Sequence, residues 1–475
     1  MDSLFMTMEE WGETVDLHYG VFCIIPILVI LAISLWKKVT LPALLAGVAV
    51  ACFMAAKFNP LVTMGLFMDQ LYTTMCDDGT VWVLLVCGFF GSLIALMTES
   101  GGVLGFTKWA RKVLNSRRKT LFGTWILGII VFVDDYLNCL SVGAAIRPLA
   151  DEYKISREML AYIINSTGVT ICAIIPISSW GAFMSGLMEK ADLTGGLSTF
   201  SAYCHAIPFM FYAIVAVITV PLVFCGVLPM FRNMRKAEER AINTGEVLSE
   251  ESKAALIESL DDEERLKDKP CRLVNFVVPI LVVVAMTIVL DDMVYALVIA
   301  MLVCLVMYLP QKLMSLLEFI EVVIKGLTDM FGVLVMIIVC YMLIDLNEML
   351  GLNEFVSAVC NAAVPVKLLP MLIFIGIGLL SFGSGSFWGL AAIAFPIVGS
   401  LAASMGINPF LLSGAVVSAV CFGGHICMYS DTVILTSAST QATCSDYFRT
   451  SFPIVMAFPF AIGSILFLIA GCIML

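Results

Sequence analysis

TLFGTWILGIIVFVDDYLNCLSVG, residues 120–143, places Asp134, Asp135, Tyr136 and Asn138 directly after an apolar run suited to lipid. Charged groups and irregular backbone are costly in hydrocarbon, so such a stretch persists only when buried in protein or lining a wet cavity. Its flanks decide its path. Basic residues cluster from Lys108 to Lys119 and again at Arg147, Lys154 and Arg157, and short basic loops stay on the cytoplasmic side. Residues 119–157 therefore enter the membrane and return to the same face, a re-entrant hairpin with the two aspartates near its tip.

The remainder of the 475-residue chain agrees. It is 61% hydrophobic and 13% charged, with a mean hydropathy of +1.01, well outside the range of soluble domains. The expected fold is an all-α polytopic membrane protein with the lipid bilayer as its main partner, no nucleic acid, and no separate large soluble domain. Crossings are expected at about 20–36, 39–57, 80–98, 158–189, 206–230, 273–290, 294–309, 330–347, 410–445 and 451–475. With both termini outside, 22 of the 26 Lys and Arg fall on the cytoplasmic side of the cell membrane; Lys57, Lys190, Lys325 and Lys367 are the exceptions. The acidic segment 1–19 reads as extracellular, without the basic start of a cleavable signal peptide. The 16 cysteines sit mostly singly in apolar runs, as small buried hydrophobes.

The second half repeats the order of the first. FGSGSFWG at 382–389 breaks an apolar rise and fall, as residues 131–138 do earlier. Before each hairpin stands a related stretch, GVLGFTKWARKVL at 102–114 and EMLGLNEFVSAVC at 348–360. After each comes a long apolar helix with a polar interruption, IINSTGV at 163–169 and MYSDTVI at 428–434. Five crossings per half give the halves opposite orientation. The expected plan is two inverted repeats, 20–230 and 273–475, joined by a charged cytoplasmic linker at 231–272 that reads as solvated and helical. Amphipathic segments 61–77 and 312–329 read as interfacial or re-entrant scaffold pieces, possible dimer contacts.

Hairpin tips and broken helices meeting near the midplane are where secondary transporters bind their cargo. The candidate substrate and ion site comprises Asp134, Asp135, Asn138, Asn165, Ser166, Thr167, Ser384, Ser386, His425, Ser430, Asp431 and Thr432, with Asp134, Asn138, Asn165 and Asp431 as Na⁺ ligands. Hard oxygen donors suit a hard cation, the carboxylates and His425 can carry protons, and Gly383 to Gly385 could offer backbone N–H groups to an anionic solute. Structural roles stand beside these. The aspartates could cap helices or pair with Arg147 or Lys154, the hydroxyls could bond back to the preceding turn, and His425 could be a satisfied core histidine. Trp180 could belong to an interfacial belt, and Glu99 and Asp345 to scaffold pairs.

FVDDYLNCLSVGAAIRPLADEYKISREMLAYIINSTGVTICAIIPISSWGAF at 132–183 resembles the signature stretch of the NhaC-type sodium/proton antiporter family, within the ion transporter superfamily. LLSGAVVSAVCFGGHICMYSDTVILTSAS at 411–439 resembles its second signature. The resemblance implies an inner-membrane secondary transporter, usually Na⁺-coupled and a homodimer, whose transport domain moves against a scaffold like an elevator. Some members exchange small organic solutes. Two positions depart from the family pattern: Asn165 stands where an aspartate is usual, and Gly424 before His425 replaces another. The expected function is an ion-coupled transporter, not an enzyme, moving Na⁺ and/or H⁺ with no further cofactor. The alternative is a Na⁺- or H⁺-coupled carrier of an amino acid or carboxylate. An intramembrane aspartyl protease is remote, because its GxGD run is absent.

Overall fold

The computed structural model describes residues 19–37, 41–102, 105, 113–256, 272–290, 292–352, 355, 365–385, 387–428 and 430–474, and all regular structure among them is helical. The first half runs α1 (Ile25–Lys37), α2 (Leu41–Ala55), α3 (Pro60–Cys76), α4 (Asp78–Glu99), α5 (Arg117–Ile130), α6 (Asp135–Glu152), α7 (Arg157–Ile174), α8 (Ser179–Lys190), α9 (Thr199–Ala206) and α10 (Phe211–Phe224). Two short helices follow, α11 (Arg232–Thr244) and α12 (Glu250–Leu256). The second half runs α13 (Val274–Leu290), α14 (Met293–Tyr308), α15 (Leu316–Asp329), α16 (Phe331–Met349), α17 (Leu369–Ser384), α18 (Phe387–Met405), α19 (Pro409–Ile426), α20 (Asp431–Thr440), α21 (Cys444–Val455) and α22 (Ala461–Met474). Among the described residues, five helices are long and apolar enough to cross a membrane alone, or up to nine spans if each bent pair is one.

Short polar side chains set many of the starts, each accepting an otherwise orphaned N–H: Asn59 for α3, Asp77 for α4, Ser156 for α7 and Ser178 for α8. The helix is interrupted at 131–134, between α5 and α6, and Asn138 reaches back across the break to the carbonyls of Val131 and of Gly128, ten residues earlier. Each arm of the second pair, α17 and α18, passes the length and composition test for a span by itself. Their junction is sharp: α17 ends at Ser384 and Gly385 takes φ 70°, a left-handed conformation cheap only for glycine.

One expectation fails in position. The run IINSTGV does not interrupt its helix; α7 continues to Ile174, and the bend of 43° into α8 comes at 175–178. Pro176 carries no N–H and holds Ile175 extended, at φ −82° and ψ 117°. Thr167 stays helical by donating back to Ile163 O and Ile164 O, at 2.8 and 3.1 Å. The second break, at 427–430, falls where the sequence places it. The paired stretches 102–114 and 348–360 lie mostly outside the described residues, although Gly101 and Gly351 just before or within them share a positive φ, 70° and 76°.

Small residues bring the central helices together, as is usual where lipid offers no hydrophobic drive for association. A Cβ on Gly128 of α5 would overlap the Thr167 hydroxyl of α7, and one on Gly423 of α19 would overlap the Ser381 hydroxyl of α17. Between the halves, a Cβ on Gly143 of α6 would come within 2.6 Å of Ser439 Cβ on α20. The span 409–440 is the most enclosed, with 94% of its apolar window buried, so α19 and α20 form the centre.

Residues 231–256 depart from the solvated-linker expectation. Met234, Glu238 and Ala241 are buried against the helical body. Glu238 accepts from the backbone and hydroxyl of Ser156 at 3.0 and 2.8 Å and pairs with Arg117, while Arg240 bonds both Glu158 oxygens at 2.9 and 3.0 Å. Ser252 donates to Asp446 at 2.8 Å, and Arg449 pairs with Glu251 at 3.2 Å. The segment's polar face finds partners on α7 and α21, which is why a charged sequence lies docked.

Candidate functional site

Asp134 is the residue at which α5 has ended and α6 begins. Extended, at φ −154° and ψ 140°, it caps α6 through Oδ1, which accepts from Leu137 N at 3.0 Å. Its Oδ2 accepts from Ser179 Oγ at 2.9 Å. Asp135 Oδ2 accepts from Trp180 Nε1 at 3.0 Å. Ser179 N donates to Val133 O at 3.2 Å, tying the start of α8 to the α5/α6 turn. The N-termini of α6 and α8 thus converge on two buried carboxylates, and the partial positive charge of helix N-termini favours anions there.

No cationic side chain pairs with either aspartate among the described residues. Of the partners the sequence suggests, Arg147 bonds Ser439 O at 3.5 Å, on the second half's α20. Trp180 is fully buried, not an interfacial belt residue. Asn138 spends its Nδ2 on the carbonyls freed at the end of α5, at 2.6 and 2.8 Å, and its buried Oδ1 has no hydrogen-bond partner among the described residues.

A second polar cluster lies deeper. Asn165 Nδ2 donates to His425 O at 2.7 Å and to Tyr447 OH at 2.8 Å, and its Oδ1 accepts from Thr436 at 3.3 Å. Both ring nitrogens of fully buried His425 are engaged, Nε2 with Ser166 Oγ at 2.8 Å and Nδ1 with Tyr212 OH at 2.7 Å. The imidazole therefore cross-links α7, α10 and α19. Ser430 and Thr432 both donate to Gly424 O, at 2.7 and 2.8 Å, closing the end of α19.

Asp431 is exposed and accepts from Tyr136 OH at 3.0 Å, which links the start of α20 to the first turn of α6. Ser384 is the last residue of α17, and Ser386 lies outside the described residues. The Gly385 N–H donates to Ser381 O at 2.9 Å and so closes its own helix, leaving it no free donor for a solute. Aromatic rings occupy the start of α18 instead: Phe387 stacks on Trp180 with centroids 4.7 Å apart, and Trp388 meets Trp180 at 5.5 Å and Phe183 at 4.7 Å.

The structure thus joins Asp134 and Asp135 to Ser179 and Trp180, and gathers Asn165, Ser166 and His425 separately. Tyr212 and Tyr447 were not singled out from sequence; Tyr212 is one tyrosine in an apolar helix and Tyr447 one in a mixed polar helix, and neither carries a local signal. A cavity of ≈ 320 Å³ opens beside Asp134 and Tyr136, walled by α4 and α15 and edged by Glu99, Lys325 and Asp329.

Comparison with known proteins places the chain. It is 24% identical over 481 residues to an uncharacterized protein of Haemophilus influenzae, covering 93% of this chain and 89% of that one. Its fold is similar to the crystal structure of the Alcanivorax borkumensis YdaH transporter, with 14% identity, a TM-score of 0.52, and coverage of 86% of this chain and 89% of the other. The profile of the Na⁺/H⁺ antiporter family matches residues 171–472, which takes in all of the second quoted signature and only the end of the first. By that match over more than half its length, the chain belongs to the Na⁺/H⁺ antiporter family, a family of multi-pass membrane transporters.

Proposed function

We propose that the protein is a secondary active transporter that exchanges Na⁺ and H⁺ at the Asp134/Asp135 pair. One observation carries this reading: two adjacent carboxylates are buried with neutral donors only and no cationic partner among the described residues. A buried charge needs compensation, and a carboxylate without a fixed counter-ion obtains it from a proton or a metal cation. Occupation by one excludes the other, which is the elementary step of exchange. Asn138, four residues after Asp134, adds an oxygen, Oδ1, that has no hydrogen-bond partner among the described residues, and Asp431, Asn165, Ser166 and Thr167 extend the oxygen inventory. His425, held at both ring nitrogens, acts as an inter-helix latch in this scheme and not as the proton carrier.

The remaining features follow the same proposal. The succession of a helix pair followed by a broken helix recurs in both halves, which supports inverted repeats and an elevator-like movement of the central helices against α1–α4 and α13–α16. The site faces alternate sides of the cell membrane, with both termini outside and a homodimer as the assembly. Saturable Na⁺-driven proton flux into dye-loaded proteoliposomes is expected and should vanish in Asp134→Ala, with the variant still monodisperse in detergent. Native flux in that variant would remove Asp134 from the site. A coupled organic solute is a second reading, favoured by the ≈ 320 Å³ cavity, which is larger than a bare ion needs.

A further inference from the structure

The cavity beside Asp134 has a charge pattern that selects among solutes. Three carboxylates line it, those of Asp134, Glu99 and Asp329, against one ammonium, that of Lys325. Lys325 Nζ stands 3.6 Å from Glu99 Oε1, so the single cation already answers one of the three. Asp329, at the exposed end of α15, has no ion-pair partner among the described residues. Ile94, Leu140 and Met330 supply apolar wall between the charged positions. The ≈ 320 Å³ volume falls at the lower end of the range of about 300–1,000 Å³ typical of small-molecule sites. A dehydrated hard cation, by contrast, needs oxygens closing to about 2.5 Å on all sides.

We propose that this cavity binds a small organic ammonium compound, a primary amine on a short apolar body, as the solute whose passage is coupled at the carboxylate pair. The proposal rests on the transport reading above and narrows its second form. An ammonium group has three donors and no acceptor, which matches carboxylates left over after Lys325 is paired. The short apolar body lies against Ile94, Leu140 and Met330. A solute bearing only a carboxylate would meet an excess of like charge, and juxtaposed like charges count against binding.

Thermal unfolding of the full-length protein in nanodiscs, at fixed Na⁺ and ionic strength, tests the assignment with n-butylammonium and its isosteric opposite, butyrate. A ligand that binds only the folded state raises the midpoint with concentration. n-Butylammonium should raise it and butyrate should not. Asp329→Asn should weaken the apparent affinity about tenfold, the scale of one lost charge contact of about 1.4 kcal/mol. Lys325→Gln should strengthen it severalfold by removing the one ammonium that lines the cavity, which keeps the test open if the first variant fails to fold. An equal or larger shift with butyrate, or native n-butylammonium affinity in Asp329→Asn, overturns the proposal. Na⁺-driven proton flux without any amine shift overturns it while leaving the exchange reading intact; an amine shift without Na⁺-dependent flux sustains the site and removes the exchange reading.

Discussion

At the bend between α5 and α6 the chain presents Asp134 and Asp135; at the bend between α17 and α18 it presents Gly385, Phe387 and Trp388. Both bends sit beside a broken helix, yet one concentrates charge and the other aromatic surface. The contact between them explains the division. Trp180 at the start of α8 donates its indole N–H to Asp135 and lays its ring against Phe387, so one side chain hydrogen-bonds at its edge and packs on its face. Charge at both bends would have set unpaired carboxylates against each other in a low-dielectric interior. Aromatic surface on one side excludes water from the other and strengthens whatever the carboxylates hold.

The largest effects should separate the two bends cleanly. Asp135→Asn removes a charge with almost no change in shape, and Na⁺-driven flux should fall by at least a hundredfold while the unfolding midpoint holds or rises. Phe387→Ala should do the reverse: a buried aromatic lost costs about 3–5 kcal/mol of stability, visible as a lowered midpoint, while the ratio of Na⁺ to H⁺ moved stays that of the native protein. If Phe387→Ala alters that ratio, the aromatic bend takes part in coupling and the division of labour fails.

The next effect concerns how the first arm of each pair meets its broken helix. In the first half glycine is on the arm, Gly128 against Thr167; in the second it is on the helix, Gly423 against Ser381. A Cβ at Gly128 would meet only side-chain atoms of Thr167, whereas one at Gly423 would also stand 2.6 Å from the Ser381 backbone carbonyl carbon. A rotamer change moves the Thr167 hydroxyl but not its Cβ at 2.7 Å, so one fixed atom must give at Gly128 against two at Gly423, the Ser381 Cβ and, at 2.6 Å, its carbonyl carbon. Gly423→Ala should therefore cost about 3 kcal/mol and Gly128→Ala about 1 kcal/mol, the two ends of the usual overpacking range, read as the difference in unfolding midpoints in one detergent. Equal midpoints would mean the α17/α19 contact is as deformable as the α5/α7 contact.

How far the sequence reveals this varies with the kind of signal. Long apolar runs and basic clusters locate most helices within a few residues, because burial in lipid is a summed property of many side chains. The Asp134/Asp135 turn is legible because two carboxylates have no cheap place in an apolar run. The first helix break is misplaced because Asn165, Ser166 and Thr167 resemble an interruption, while hydroxyls satisfied by the preceding turn let α7 continue; the proline at 176 is the true signal. Trp180, Tyr212 and Tyr447 look like ordinary aromatics, and only long-range pairing reveals their hydrogen bonds. Lys325 and Asp329 are invisible as site residues for the same reason: they approach Asp134 from a helix almost two hundred residues away.

The smallest expected effect probes the one bond that joins the first turn of α6 to the second half's polar break. Tyr136 OH donates to Asp431 at 3.0 Å, and Asp431 is exposed, so water competes for the same oxygen. A hydrogen bond in that setting is worth about 0.5–1 kcal/mol net, which corresponds to a severalfold change in rate at most. Tyr136→Phe keeps the ring and removes only the hydroxyl, so flux in proteoliposomes should fall no more than about fivefold. Asp431→Asn, which retains an acceptor for Tyr136, should fall less than Tyr136→Phe if the bond is what matters, and more if the charge is. A loss in Asp431→Asn as deep as that in Asp135→Asn would make the second half an equal partner in ion binding, and the asymmetry between the two bends would then describe packing alone.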